Sequence, residues 1–286
     1  MAVATVTFAD RLAAEVERKR SQLVVGLDPQ PDLMPVELRG DVARFCCGLV
    51  DAVAPHAVAV KPQLAFFEAL GPAGIAAFHE ACAYARRVGL LVIADGKRGD
   101  IGSTARAYAE AYLEGEPACA DALTVNPYLG RESVEPYLAA ARRNGAGVFV
   151  VVKTSNAGGD IQDVVLSDGR PMWHHVAAQV AEWGEDLVGD VGLSSVGAVV
   201  GATHPRAVGE ARRLMPQAVI LLPGIGAQGG SVGELARAFQ SGPASALVNA
   251  SRSVDYAFRE TGGDFREAAG AEAARLKREI WAASGW

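Results

Sequence analysis

The stretch Asp95-Gly-Lys97-Arg-Gly-Asp100 places two carboxylates and an ammonium within one short segment. The apolar run Leu90–Ala94 leads into it, and a helix-like stretch opening Ile101-Gly-Ser-Thr104 follows. Side chains two apart on a strand point the same way, so Asp95 and Lys97 share a face. Asp100 sits just past them in a glycine-flanked turn. Desolvating such charges is costly unless something is gained, so their concentration at a strand end points to chemistry. A fixed ammonium can stabilise developing negative charge and then deliver a proton. Neighbouring carboxylates favour its protonated form, which argues against a nucleophilic, Schiff-base lysine.

The elements that must position these groups follow from the apolar pattern. Eight short runs recur: Leu23–Leu27, Val58–Val60, Leu90–Ala94, Ala122–Val125, Val148–Val152, Val196–Val200, Val219–Leu222 and Ala246–Val248. Helix-length segments alternate with them, among them Asp41–Ala54, Pro72–Val88, Ser103–Leu113, Glu132–Arg143, Trp173–Trp183, Pro205–Leu214 and Ser231–Gln240. Apolar runs bounded by turns read as strands buried on both faces of a parallel sheet. Eight strand–helix units predict an α/β fold, a (β/α)8 TIM barrel, with residues 1–286 as one domain. An open doubly wound sheet fits less well, because no Gly-x-Gly-x-x-Gly follows the first strand. Residues 155–170 read as a long loop, and residues 264–283 as a terminal helix outside the barrel.

Active sites of such barrels lie at the C-terminal ends of the strands. In order, those ends carry Asp28, Lys61, the Asp95–Lys97–Asp100 cluster, Asn126, then Lys153-Thr-Ser155. Strand seven opens into Pro223-Gly-Ile-Gly-Ala-Gln228-Gly-Gly, and strand eight ends in Asn249-Ala-Ser-Arg252. Glycine-rich turns free backbone N–H groups for an anion, and the loops after strands seven and eight are the usual phosphate site. Arg252 supplies a planar fork for a dianion, and Gln228 is placed to close over it. Taken singly, Asp100 reads equally well as a helix cap and Lys61 as a snorkelling lysine, while Lys153 reads rather as structural, because Gly and Ser dominate the loop behind it. Taken together, Asp28, Lys61, Asp95, Lys97 and Asp100, five charges at consecutive strand ends, need one explanation. The five histidines are scattered and receive no catalytic or metal role.

Composition narrows the classes. The chain has 286 residues, half of them hydrophobic, with a net charge of −6. No basic block suggests a nucleic-acid face. No run of apolar residues is long enough for a membrane span, and the N-terminus lacks a signal-peptide pattern. Four cysteines without metal-ligand spacing read as free thiols in a reducing compartment. The expectation is a cytoplasmic enzyme of small molecules.

At these residues the chain resembles the orotidine 5′-phosphate decarboxylase family, in its longer second type. The carriers are Asp95-x-Lys97-x-x-Asp100 with Thr104 behind it, Val25-Gly-Leu-Asp28-Pro, Val60-Lys61-Pro, Thr124-Val-Asn126-Pro-Tyr, Lys153-Thr-Ser155-Asn, the Gln228 glycine loop and Ala250-Ser-Arg252-Ser. The resemblance implies conversion of orotidine 5′-phosphate to uridine 5′-phosphate without cofactor or metal. It implies a charged network of Lys61, Asp95, Lys97 and Asp100, with Lys97 as proton donor. Asp28, Lys61 and Thr104 would then hold ribose hydroxyls, Ser155 the pyrimidine amide, and Gln228 and Arg252 the phosphate. Asp100 and Thr104 would reach a neighbour's site, which makes a homodimer. Two rivals stay open on the residues alone. One is a metal-dependent sugar-phosphate decarboxylase or aldolase on a related barrel, although Lys61 stands where its acidic metal ligand would be. The other is a sensor that binds nucleotide or sugar phosphate without turnover.

Overall fold

A computed structural model describes residues 5–115, 118–156, 158–203, 205–224 and 232–286. Eight parallel strands close into a barrel in sequence order. They are β1 (Leu23–Leu27), β2 (Ala59–Pro62), β3 (Leu91–Arg98), β4 (Ala122–Val125), β5 (Gly147–Lys153), β6 (Ser194–Val200), β7 (Ala218–Pro223) and β8 (Ala246–Ala250). β8 returns to β1 through Val24 opposite Asn249. Helices at Val42–Val53, Gly71–Arg87, Gly102–Leu113, Arg131–Asn144, Met172–Trp183 and Pro205–Leu214 fill the connections. The connection from β7 to β8 holds a 3-10 helix, Val232–Phe239, and a long helix, Phe265–Ser284, ends the chain. Strands one and four coincide with their apolar runs. β3 runs past Ala94 to Arg98, because the charged residues continue the strand.

Strand parity sorts the core into two layers. Leu23, Val25, Val60, Val92, Ala94, Val148 and Val150 face outward and pack under the helices. Val24, Ala59, Leu91, Ile93, Ala122, Phe149, Val219, Leu221 and Leu247 form a second cluster inside the barrel. The inward positions are therefore apolar in the lower layers. One step further along the same parity they turn polar: Asp28 after Val24 and Gly26, Lys61 after Ala59, Asp95 after Ile93, Thr124 after Ala122 and Asn249 after Leu247. The inner cluster supports the site from below, and the twofold strand period delivers the charged groups to its upper rim.

An additional helix, Phe8–Lys19, closes the bottom of this inner layer. Thr7 caps it by accepting the Asp10 N–H at 3.1 Å. Phe8, Leu12 and Val16, on one helical face, join the inner cluster. Phe8 meets Phe149 edge-on, with ring centroids 5.8 Å apart.

Candidate active site

Asp95 is the hub. Its buried carboxylate accepts four hydrogen bonds: from Lys61 Nζ at 2.6 Å, Gln63 Nε2 at 3.0 Å, Lys97 Nζ at 2.6 Å and Thr124 Oγ1 at 2.9 Å. Burial alone would push this carboxyl up. Lys61 and Lys97 outweigh that and hold it well below the usual carboxylate range. Lys61 is itself buried, which disfavours its charge, yet Asp95 and Asp28 keep it protonated and raise its pKa.

The two lysines differ in one decisive respect. The Lys61 side chain is 6% exposed, whereas that of Lys97 is 44% exposed. Both lysines reach the pocket above this hub, Lys61 almost enclosed against Asp95 and Lys97 the more open of the two. Its backbone is unusual as well. Lys97 has φ of +44°, a left-handed conformation that costs an L-residue about 1–2 kcal/mol. Its N–H donates to Thr124 Oγ1 at 2.9 Å, and the pairing of β3 with β4 slips register between Ala94 and Arg98. Such strain gathers where a side chain must be aimed.

A pocket of about 850 Å³ opens over this hub. Asp28, Lys61, Asp95, Lys97, Ser155 and Arg252 all line it, so six of the nine residues singled out from the sequence come together. Asp28 is pushed up by burial, while Lys61 pulls it back. Asp100 and Thr104 do not line the pocket of their own chain. Asp100 Oδ1 accepts the adjoining Ile101 N–H at 2.7 Å, and Ile101, not Asp100, stands at the cap of the following helix. Gln228 lies outside the described residues. Asn126 shapes a turn: its N–H donates to Arg98 O at 2.8 Å, and its Oδ1 accepts the Tyr128 N–H at 3.1 Å. Lys153 is buried and pairs with Asp163 at 2.6 Å.

The sequence reading missed Gln63 and Thr124, the two uncharged donors on Asp95. Thr124 was visible as the one polar residue of the run Ala122–Val125. Gln63 follows Lys61 at the strand period and carries no other signal.

Comparison with known proteins now decides the family. The model of the orotidine 5′-phosphate decarboxylase / HUMPS family matches residues 21–257. The chain belongs to this family. It is 49% identical over 269 residues to the orotidine 5′-phosphate decarboxylase of Deinococcus radiodurans, covering 93% of this chain and 95% of that protein. The enzyme of the same name from Rhodopirellula baltica is 45% identical over 271 residues, covering 89% and 90%. The solved structure of Leishmania donovani OMP decarboxylase superposes with a TM-score of 0.78 at 32% identity, covering 98% of this chain and all of that one. The segment carrying the Asp95 hub, the pocket and the Arg252 turn all lies within the matched residues.

Proposed function

We propose that this pocket decarboxylates orotidine 5′-phosphate to uridine 5′-phosphate. The observation that carries the reading is the Lys61–Asp95–Lys97 chain, lining the pocket with Lys97 as its more exposed end, in a member of this family. Loss of carbon dioxide leaves a carbanion at C6 of the pyrimidine, in the plane of the ring and without delocalisation. The ammonium of Lys97 stabilises that charge electrostatically and then protonates the carbon. Asp28 and Lys61 hold ribose hydroxyls, Ser155 the pyrimidine amide, and Arg252 with Gln228 the phosphate. Phosphate binding far from the reacting carbon supplies energy for ordering the site.

We further propose a homodimer with shared sites. Asp100, in the turn after β3, and Thr104, in the helix Gly102–Leu113, do not line their own pocket, and exposed apolar side chains lie on the same turn and on the adjoining segment after β4. Ile101 is 53% exposed, Tyr128 79% and Leu129 51%. The backbone bond from Asn126 to Arg98 holds the two segments side by side. A second copy of the chain would cover these side chains and receive Asp100 and Thr104 beside its own Lys97.

The direct test is ultraviolet loss of orotidine 5′-phosphate after exhaustive chelation. Turnover is expected to survive. Activity lost to chelator and restored by magnesium would move the reading to a metal-dependent sugar-phosphate enzyme. Nucleotide binding without turnover would make the protein a sensor.

A further inference from the structure

Behind Asp28 stands a second buried carboxyl that this reaction scheme does not use. Asp255 is fully buried and lies three residues past Arg252, at the end of the short helix Arg252–Asp255. Its Oδ2 accepts the backbone N–H of Asp28 at 3.1 Å. The next residue holds the other side of the same peptide pair. Tyr256 Oη donates to Asp28 O at 2.7 Å and accepts the Gln30 N–H at 2.8 Å. The Tyr256 ring is fixed in turn by stacking on Phe45, with centroids 6.0 Å apart. Gly26 permits this approach, because a Cβ there would lie 1.9 Å from Ser251 Oγ. The exit of β1 and the turn after β8 thus form one bonded unit.

The carboxyl pair is electrostatically unequal. Asp28 Oδ1 and Asp255 Oδ1 are both buried without a hydrogen-bond partner. Burial first, and the neighbouring Asp28 second, push the Asp255 carboxyl well above the usual carboxylate range. Asp28 is pulled back by Lys61 and by Arg252, and it lines the pocket while Asp255 does not. Two adjacent buried carboxyls cannot both ionise cheaply, and Lys61 and Arg252 together favour the charge on Asp28, whereas on Asp255 only Lys61 opposes the upward push of burial and of Asp28. Asp255 thus grips the Asp28 backbone as an acceptor from outside the pocket, while the Asp28 carboxylate lines it.

We propose that Asp255 and Tyr256 are positioning residues that anchor Asp28 to the Arg252 turn and so set the place of its carboxylate against substrate. This rests on the reading of Asp28 as a substrate contact. It ties the phosphate end of the pocket to the ribose end through three bonds that no substrate atom enters.

The test is a double-mutant cycle on the full chain, with circular dichroism as a check on folding. Tyr256→Phe keeps the stacked ring and removes both hydroxyl bonds. It should lower kcat/KM for orotidine 5′-phosphate about tenfold. In an Asp28→Ala background the same change should cost less than about twofold, because nothing remains to be positioned. Asp255→Asn keeps an acceptor for the Asp28 N–H and should retain activity, whereas Asp255→Ala should fall with Tyr256→Phe. Additive losses in the double mutant, or full activity of Tyr256→Phe, would overturn the anchoring. An Asp28→Ala protein with undiminished activity would instead remove Asp28 from the substrate contacts, and the role of its anchors with it.

Discussion

Replacing Lys97 with alanine removes the more exposed of the two ammoniums paired with Asp95 at the pocket. Structurally the change should be mild. Asp95 keeps Lys61 at 2.6 Å, Gln63 at 3.0 Å and Thr124 at 2.9 Å, so no buried carboxylate is orphaned. The lost ion pair has a half-exposed lysine, and such pairs contribute about 1 kcal/mol or less. Alanine retains a Cβ, so the left-handed strain at this position stays as it was. Chemically the change should be severe. Losing one preorganised electrostatic partner costs about 2.7–4 kcal/mol, or roughly a thousandfold at the upper end. The general-acid role adds at least about a hundredfold. Turnover, followed by the loss of substrate absorbance, should therefore drop by about 10⁵-fold, with uridine 5′-phosphate binding and the unfolding midpoint little changed. If Lys97→Ala keeps more than a tenth of normal turnover while folded, Lys97 is not the proton donor.

Arg252→Ala should weaken uridine 5′-phosphate binding by about 2–5 kcal/mol and hurt the phosphorylated substrate far more than orotidine; equal losses for both would show that Arg252 does not hold the phosphate. Lys97→Ala and Asp100→Ala proteins, each nearly inactive alone, should recover activity when mixed in equal amounts and allowed to exchange subunits. Random exchange leaves roughly a quarter of all sites with both groups intact, and activity no higher than the sum of the parents after proven exchange would place Asp100 in its own chain's site. Arg212 is buried, its guanidinium pulled down to about 10 by desolvation, and it donates to the carbonyls of Met215, Pro216, Ala218, Ala238 and Ser245. Arg212→Met should cost about 3 kcal/mol or more in urea unfolding, since those carbonyls lose their shared donor; an unchanged midpoint would show that water replaces it.

The barrel was legible because its signal is redundant. Eight apolar runs, each long enough for a strand, alternate with helical segments, and small errors at the ends leave the topology untouched. The charged site was legible for the same reason: Lys61, Asp95 and Lys97 stand out against apolar neighbours at the strand period. What stayed hidden depends on three-dimensional packing. The helix Phe8–Lys19 carries a Thr7 cap and the spacing Phe8, Leu12, Val16, yet nothing in that pattern tells whether it packs outside the barrel or beneath it. Gln63 and Thr124 bring no charge, and their value lies only in where Asp95 is. Asp255 and Tyr256 look like ordinary residues of a turn, because their partner Asp28 is more than two hundred positions away. Asp100 and Thr104 do not line the pocket of their own chain, so their place in the proposed dimer cannot be read from one chain's strand pattern.

If Lys97 is the proton donor, as proposed, the need for two lysines around one carboxylate follows from the moment after proton transfer. If Lys97 alone balanced Asp95, delivering its proton would leave a buried carboxylate unpaired. Breaking a buried pair in that way costs about 3–5 kcal/mol, and the cost would fall on the chemical step. Lys61, Gln63 and Thr124 keep three bonds on Asp95 whether Lys97 carries its proton or not. Asp95 is also held well below the usual carboxylate range, so it is a poor competitor for that proton. The carbanion at C6 is a far stronger base and takes it. On that proposal Lys61 makes Lys97 expendable to Asp95, so that a lysine otherwise locked in a salt bridge is free to act as an acid. Its partial exposure completes the cycle, since solvent can restore the proton once product leaves.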